Sequence, residues 1–390
     1  MLERLAGAEC ERPTSPIGRW QQRHSPAPGV DRSNLATPSP CRLEHGGRLP
    51  LEDPKRSEEI HTMGTILYAI ERPFMRKTFE AIDRHVDSES AYVPVRANAR
   101  GCSDRIEEIE VDDPGAVDEN VRAIDPDVVV YNHRFGIERF TFYEEYPLVH
   151  VRHGASIGRG EISVTATTIL EHVSAALAPG ERWAAAYRDA APPDVRVAVV
   201  GIPEADVLVD SPPPRDRRVL YAPTNYMVGQ GAYANTARSV VECFADSEYE
   251  LLFRPHPTDR REGPGLPVTR ACRDRIAEFP NVVFDTTTTP AESMRRSDVL
   301  ISDYSGSIAE WLHTGRPLIQ LTDIDAPDRE VPRIGTTTDA IDLELVDDLY
   351  RNGEPDAVAR RREEWLADLG IPMDGRAGER AAEEVMRCAQ

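Results

Sequence analysis

Six consecutive residues, Ser302-Asp303-Tyr304-Ser305-Gly306-Ser307, follow directly on the apolar run Val299-Leu300-Ile301. They precede a helical pattern with Ile308, Trp311 and Leu312 on one side. The first backbone N–H groups of a helix have no partner inside it and lie at the positive end of its dipole. Such a handover therefore suits an anion, phosphate above all. Ser and Asp are favoured helix caps, and any one of these serines taken alone reads as a plain cap. Gly306 would let a ligand approach the backbone closely. Three serine hydroxyls and a glycine within six residues point beyond capping to phosphate binding.

Other apolar runs also end in polar loops. Leu148–Val151 runs into Arg152-His153-Gly154, and Val195–Val200 into Gly201-Ile202-Pro203-Glu204-Ala205-Asp206. Val219–Tyr221 runs into Ala222-Pro223-Thr224, and the run ending at Phe253 into Arg254-Pro255-His256-Pro257. Two of these loops pair a His with an Arg. An imidazole can take or give a proton near neutral pH, and a guanidinium can grip phosphate with two parallel hydrogen bonds. By residue type alone each His has a plainer reading: His153 bonding backbone, and His256 shaping a rigid turn between two prolines. His133, His150, His172 and His313 read as structural, Trp311 and Leu312 as core, and Arg295 and Arg296 as solvated helix surface.

These loops need elements to hold them. Strands are expected at Ile66–Ile70, Val128–Tyr131, Leu148–Val151 and Val195–Val200, with helices near Arg76–Arg84, Gly115–Ala123, Ile162–Ala176 and Glu181–Ala190. A second series has strands at Val219–Tyr221, Glu250–Phe253, Val282–Phe284, Val299–Ile301 and Leu318–Gln320. Its helices lie near Thr236–Phe244, Arg273–Glu278, Pro290–Arg296 and Ser307–Thr314, and the tail adds Asp356–Leu369 and Gly378–Cys388. Alternation at this spacing means parallel sheets covered by helices. The expected fold class is α/β, with two Rossmann-like doubly wound domains facing a cleft and ligands at the C-terminal ends of the strands. The expected organisation is a leader (1–62), an acceptor-side domain (63–205), a donor-nucleotide domain (206–345) and C-terminal helices (346–390).

The order of the motifs carries a resemblance. Read together, Arg152-His153-Gly154, Gly201-Ile202-Pro203 with Asp206, Tyr221-Ala222-Pro223-Thr224, His256-Pro257, Ser302 to Ser307 and Gly315-Arg316-Pro317 resemble the CDP-glycerol glycerophosphotransferase family of teichoic-acid polymerase type. The likeness covers about residues 147–322. It implies the two-domain glycosyltransferase B fold and transfer of a polyol phosphate from a CDP-polyol to a hydroxyl acceptor, with release of CMP. It also implies His153 as general base and His256 against the donor phosphates, both catalytic. Gly154, Arg159, Thr224, Arg254, Asp303, Ser305, Gly306 and Ser307 are then the expected substrate-binding residues. Where the family continues its His-Gly with Thr-Pro and lysines, this chain has Ala155 to Arg159, so the basic role falls to Arg159. The family's Arg-Asn-Asp is here Glu204-Ala205-Asp206, and its second serine is Gly306. Two alternatives remain: a UDP-sugar glycosyltransferase or UDP-N-acetylglucosamine 2-epimerase-like enzyme on the same fold, and a non-catalytic nucleotide-binding relative.

Composition narrows the partners. A net charge of −21 disfavours nucleic acid. Of 46 basic residues only Lys55 and Lys77 are lysines, and Asp and Glu abound, as in proteins of salt-loving, GC-rich organisms. The six cysteines show no metal-ligand or disulfide spacing. No metal site and no cofactor are expected, with a divalent cation at the phosphates left open. No apolar run approaches the roughly 20 residues of a membrane span. The expected location is cytoplasmic, with peripheral contact at the inner membrane face, where a glycan or lipid-linked hydroxyl would be the acceptor. Residues 1–62 carry nine acidic and nine basic residues, so the whole charge deficit lies after them. They read as a disordered tail or as sequence upstream of a true start at Met63.

Overall fold

The computed structural model describes residues 64–71, 73–95, 114–132, 140–152, 154–155, 170–227, 232–261, 263–322 and 332–390. The expectations for residues 1–62, and for His133, His153 and Arg159, lie outside the described residues. Two six-stranded sheets form, every pairing parallel. The first has the order β2-β1-β3-β4-β5-β6, built from Thr65–Ile70 (β1), Glu89–Pro94 (β2), Val128–Tyr131 (β3), Leu148–Val151 (β4), Ala175–Ala178 (β5) and Arg196–Val199 (β6). The second has the order β12-β11-β10-β7-β8-β9. Its strands are Arg218–Tyr221 (β7), Glu250–Phe253 (β8), Val282–Phe284 (β9), Val299–Ser302 (β10), Leu318–Leu321 (β11) and Thr336–Thr338 (β12). The α/β, doubly wound expectation holds.

Central strands covered on both faces read as unbroken apolar runs. Leu148–Val151 and Val128–Tyr131 are buried at every position, as are the last five residues of β1. That is why these strands are visible in the sequence. The misses are edges and one alanine run. Glu89–Pro94 and Thr336–Thr338 are edge strands with polar or half-exposed residues. Ala175 and Ala176, expected to end the helix Ile162–Ala176, instead open the fully buried strand Ala175–Ala178, because alanine's helix preference yields to packing between β4 and β6. The helix Leu343–Asn352 was also not anticipated; its Asp342 side chain accepts the Glu344 N–H as a cap.

The second sheet reverses its strand order between β7 and β10, which lie side by side. The loops leaving β7, β8 and β10 therefore emerge next to one another at one sheet edge, where such folds bind ligands.

The chain passes from the first sheet to the second through a short 3-10 turn, Pro203–Leu208, in which Pro203, Glu204, Ala205 and Leu208 are buried. Asp206 accepts the backbone N–H groups of Ala377 (3.0 Å) and Gly378 (2.7 Å) at the start of the last helix, Ala377–Cys388. That helix buries Ala381, Ala382 and Val385 with Ile66, Phe79, Val130 and Val149 of the first sheet's layer. Further along, Arg316 reaches back to the crossover. Its Nη2 donates to the carbonyls of Ser211 (2.9 Å) and Pro212 (2.8 Å), and its Nη1 to those of Met294 and Ser297.

Asp206→Ala removes both acceptors at that helix start. It is expected to destabilise the fold by about 1–2 kcal/mol, read as a lower urea midpoint; Asp206→Asn, which keeps one acceptor, should lose less.

Candidate functional site

The glycine after β4 starts the site. Gly154 has φ +63°, a left-handed conformation that a side chain would strain. Its N–H donates to Glu204 Oε1 at 3.1 Å, which ties Gly154 to the buried crossover. Glu204 Oε1 also lies 3.5 Å from Lys77 Nζ, which comes from the helix Arg76–Asp83. The Lys77 ammonium in turn donates to Glu310 Oε1, on the short helix Ser307–Leu312 that follows the serine loop. All three groups are largely buried. Burial by itself lowers the Lys77 pKa, but Glu310 and then Glu204 more than offset it, and the net shift is upward. Burial raises the Glu310 carboxyl against the opposing pull of Lys77.

On the second sheet the β7 and β10 loops clamp each other. Asp303 Oδ1 accepts the Thr224 hydroxyl (2.7 Å), the Thr224 N–H (3.0 Å) and the Tyr304 N–H (2.6 Å). Thr224 and Asp303 are 1% and 3% exposed. A carboxylate out of water needs donors, and Thr224 and Tyr304 supply them, so Asp303 orients this turn. Arg254 is likewise engaged within the protein. Its Nη1 donates to Asp285 Oδ2 (2.8 Å), the Thr287 hydroxyl (2.6 Å) and Ser293 Oγ (3.1 Å). The Nη1 end is thus spent inside the protein. Burial alone would raise the Asp285 carboxyl, but Arg254 and Ser293 outweigh it and hold it below its usual range.

His256 is held differently. The Thr258 N–H donates to its Nδ1 at 3.2 Å, and the Asn225 amide nitrogen lies 3.2 Å from the same atom. A backbone N–H can only donate, so Nδ1 is the bare acceptor nitrogen and the neutral ring carries its proton on Nε2. Asn225 also reaches Asp259 Oδ1 (3.3 Å), whose Oδ2 accepts the Tyr226 N–H (3.0 Å). The ring of Phe74, from the segment before the Lys77 helix, meets the His256 ring edge-on at 5.6 Å between centroids.

In the serine loop the hydroxyls of Ser305 and Ser307 lie 2.8 Å apart. The cap residue of the Ser307–Leu312 helix is Gly306, in ordinary helical backbone at φ −57°, ψ −27°, and the Ser307 N–H donates to Ser305 Oγ at 3.4 Å. A Cβ built on Gly306 would meet nothing within 4 Å. Neither backbone nor packing demands glycine there.

The structure thus joins Thr224 to Asp303, Ser305 to Ser307, and Gly154, through Glu204 and Lys77, to the helix that begins at Ser307. Sequence reasoning missed Asn225, whose amide nitrogen lies against His256 Nδ1, and Asp259, which Asn225 also reaches, although Asn225 directly follows the Ala-Pro-Thr triplet. It missed Lys77 as well, although Lys77 is the sole lysine after residue 62. His150 and His313 are buried, and His313 Nδ1 donates to the Ala309 carbonyl at 3.0 Å. Trp311 and Leu312 are core, and Arg295 and Arg296 are exposed, as expected. Among the described residues no group of three or more His, Cys, Asp or Glu side chains could hold a metal ion. Nor is any described helix long and apolar enough to cross a membrane.

Burial raises the Asp259 carboxyl to about 6, against the lowering effect of the Tyr226 N–H. A raised acid pKa means that the folded state holds the proton more tightly than the unfolded state. The stability this gives is full below about pH 4 and is lost as pH rises through about 6. Asp259→Asn keeps an acceptor without the charge. The stability of the variant relative to the parent should therefore rise between pH 4 and 7, as followed by chemical denaturation across that range.

The comparisons with known proteins agree with this architecture. No curated protein sequence matches. Among solved structures, the wall teichoic acid polymerase TagF superposes with a TM-score of 0.60 at 16% identity, over 83% of this chain and 88% of that one. The S. aureus MnaA–UDP complex gives 0.55 at 15% identity, over 83% and 96%. A UDP-N-acetylglucosamine 2-epimerase of Listeria monocytogenes, itself described as putative, gives 0.52 at 17%, over 82% and 94%. At these identities the likeness is one of fold. The family model for CDP-glycerol:poly(glycerophosphate) glycerophosphotransferases matches residues 127–330, just over half the chain, and spans the loops after β3, β4, β7, β8 and β10. The chain belongs to the CDP-glycerol:poly(glycerophosphate) glycerophosphotransferase family.

Proposed function

We propose that this glycerophosphotransferase moves glycerol phosphate from CDP-glycerol to a hydroxyl of a surface-glycan or lipid-linked acceptor and releases CMP. The observation that carries the reading is the loop cluster at the strand-order reversal of the second sheet. There His256, on the loop after β8, is held with its proton on Nε2, and the loop after β10 carries the paired serine hydroxyls and the open backbone at Gly306. A TagF variant solved after a CDPG soak shares the fold, with a TM-score of 0.56 at 15% identity.

In the reaction an acceptor oxygen attacks the phosphorus that bears the glycerol. One P–O bond forms to the acceptor, and the P–O bond to CMP breaks. His153 takes the proton of the attacking hydroxyl, a role that rests on its place in the family motif. His256 donates its Nε2–H to the phosphate oxygens of the departing CMP, where charge accumulates. Ser305 and Ser307 offer hydroxyls to the pyrophosphate, while Arg254 contributes charge from behind the loop. Thr224 and Asp303 lock the two loops so that these donors keep their spacing. Gly154 and Arg159 belong to the acceptor side. The site is reached from the cytoplasm, with peripheral contact at the inner membrane face bringing the acceptor.

The test is thermal melting of the full chain in high salt with CDP-glycerol, CDP, CMP and UDP-N-acetylglucosamine. A ligand that binds only the native state raises the melting temperature. Stabilisation by CDP-glycerol and CDP, followed by CMP release on adding acceptor, is expected; selective stabilisation by the UDP-sugar overturns the reading. His153→Ala should cut turnover by about 10²–10⁴-fold with donor binding intact. For Gly306→Ala the fold should be unchanged or more stable by roughly 0.5–1 kcal/mol. Its donor affinity, measured by calorimetry, should fall because the added methyl occupies space left open for the phosphates.

A further inference from the structure

The buried group Lys77, Glu204 and Glu310 lies between the two halves of the proposed reaction, and nothing in the family motif includes its lysine. Glu204 Oε1 accepts the Gly154 N–H (3.1 Å) and lies 3.5 Å from Lys77 Nζ. Glu310, paired to the same ammonium, sits one turn into the helix that the serine loop begins. The side chains of Glu204 and Glu310 are 2% and 3% exposed, and that of Lys77 is 15% exposed. One Oε2 atom on each glutamate is buried without a hydrogen-bond partner. Lys77 is therefore the cation on which both carboxylates depend. Its own segment is anchored at Met75, whose carbonyl accepts the Asn132 amide N–H at 3.0 Å. The same segment sets Phe74 against the ring of His256.

We infer that Lys77 is a positioning residue for phosphoryl transfer: through Glu204 and Glu310 it fixes the acceptor-side loop at Gly154 relative to the donor-side serine loop. The inference rests on the proposed function and deepens it. A buried ion pair is weak support for stability, since well-packed apolar groups often replace one without loss. Its directional contacts, however, set where two loops stand relative to each other. In-line transfer is sensitive to that spacing, because a displacement of about 1 Å can cost about 10²-fold in rate. The donor binds within the second sheet's loops, so donor affinity should not depend on Lys77.

The experiment uses three variants of the full chain: Lys77→Met, Lys77→Arg and the double variant Lys77→Met/Glu310→Leu. The double variant removes the pair without stranding the Glu310 charge, and so keeps the test informative if Lys77→Met folds poorly. Three quantities are read: kcat for CMP release, calorimetric affinity for CDP-glycerol, and hydrogen exchange of the peptide containing the Gly154 amide. In Lys77→Met and the double variant, kcat should fall about 10- to 100-fold with donor affinity within about twofold of the parent. Gly154 exchange should accelerate in both. Lys77→Arg, which retains the cation, should recover most of the rate. A stable double variant with parental kcat and parental Gly154 exchange overturns the inference and leaves the group as packing alone. If the parent itself releases no CMP from CDP-glycerol, the functional reading falls; the exchange measurement still decides whether Lys77 holds the Gly154 loop.

Discussion

Between β6 and β7 the chain must leave one sheet and enter another, and it does so through the core. Buried polar groups have to be satisfied, so a crossover with two acidic side chains requires donors from elsewhere. Glu204 finds them in Lys77 and the Gly154 N–H, and Asp206 in the first N–H groups of the last helix. Elements far apart in sequence therefore meet at six residues. The first helix, the loop after β4, the helix after the serine loop and the C-terminal helix are all located by the turn Pro203–Leu208. Arg316 secures the next few residues by donating to Ser211 and Pro212.

A second principle runs through the donor-side loops: polar side chains bond to one another first and present the remainder. Asp303 is used up by Thr224 and Tyr304, and Asp285 by Arg254 and Ser293. This network sets the loops rigidly and leaves a smaller set of groups to face a ligand. His256 shows how little is needed to define chemistry. One backbone N–H, from Thr258, decides which ring nitrogen is bare and which carries hydrogen. Gly306 shows the converse, a glycine that neither φ nor packing requires.

Much of the fold was legible because central parallel strands have to be apolar at every position. Val128–Tyr131, Leu148–Val151 and Val299–Ile301 could be read directly for that reason. Glu89–Pro94 and Thr336–Thr338 could not, because an edge strand is half solvated and its residues carry no such mark. Ala175–Ala178 misled because alanine fits either element, and only its neighbours decide. At the site, motif order singled out the loops after β4, β7, β8 and β10, whereas residue type alone does not show how far their side chains bond to one another. Thr224, Asp303 and Arg254 have the chemistry of ligand contacts, yet most of that chemistry is directed inward.

The sequence by itself determined the alternation of strand and helix, the position of the polar loops at strand ends, and the family. These follow from local apolar patterns and from short motifs whose order survives without knowledge of contacts. Only the tertiary structure decided which polar groups satisfy one another. It alone revealed that Lys77, Glu204 and Glu310, at positions spread over more than half the chain, form one buried group. The physical reason is that a charge can be buried only with its partner, and that partner is set by packing in space rather than by spacing along the chain.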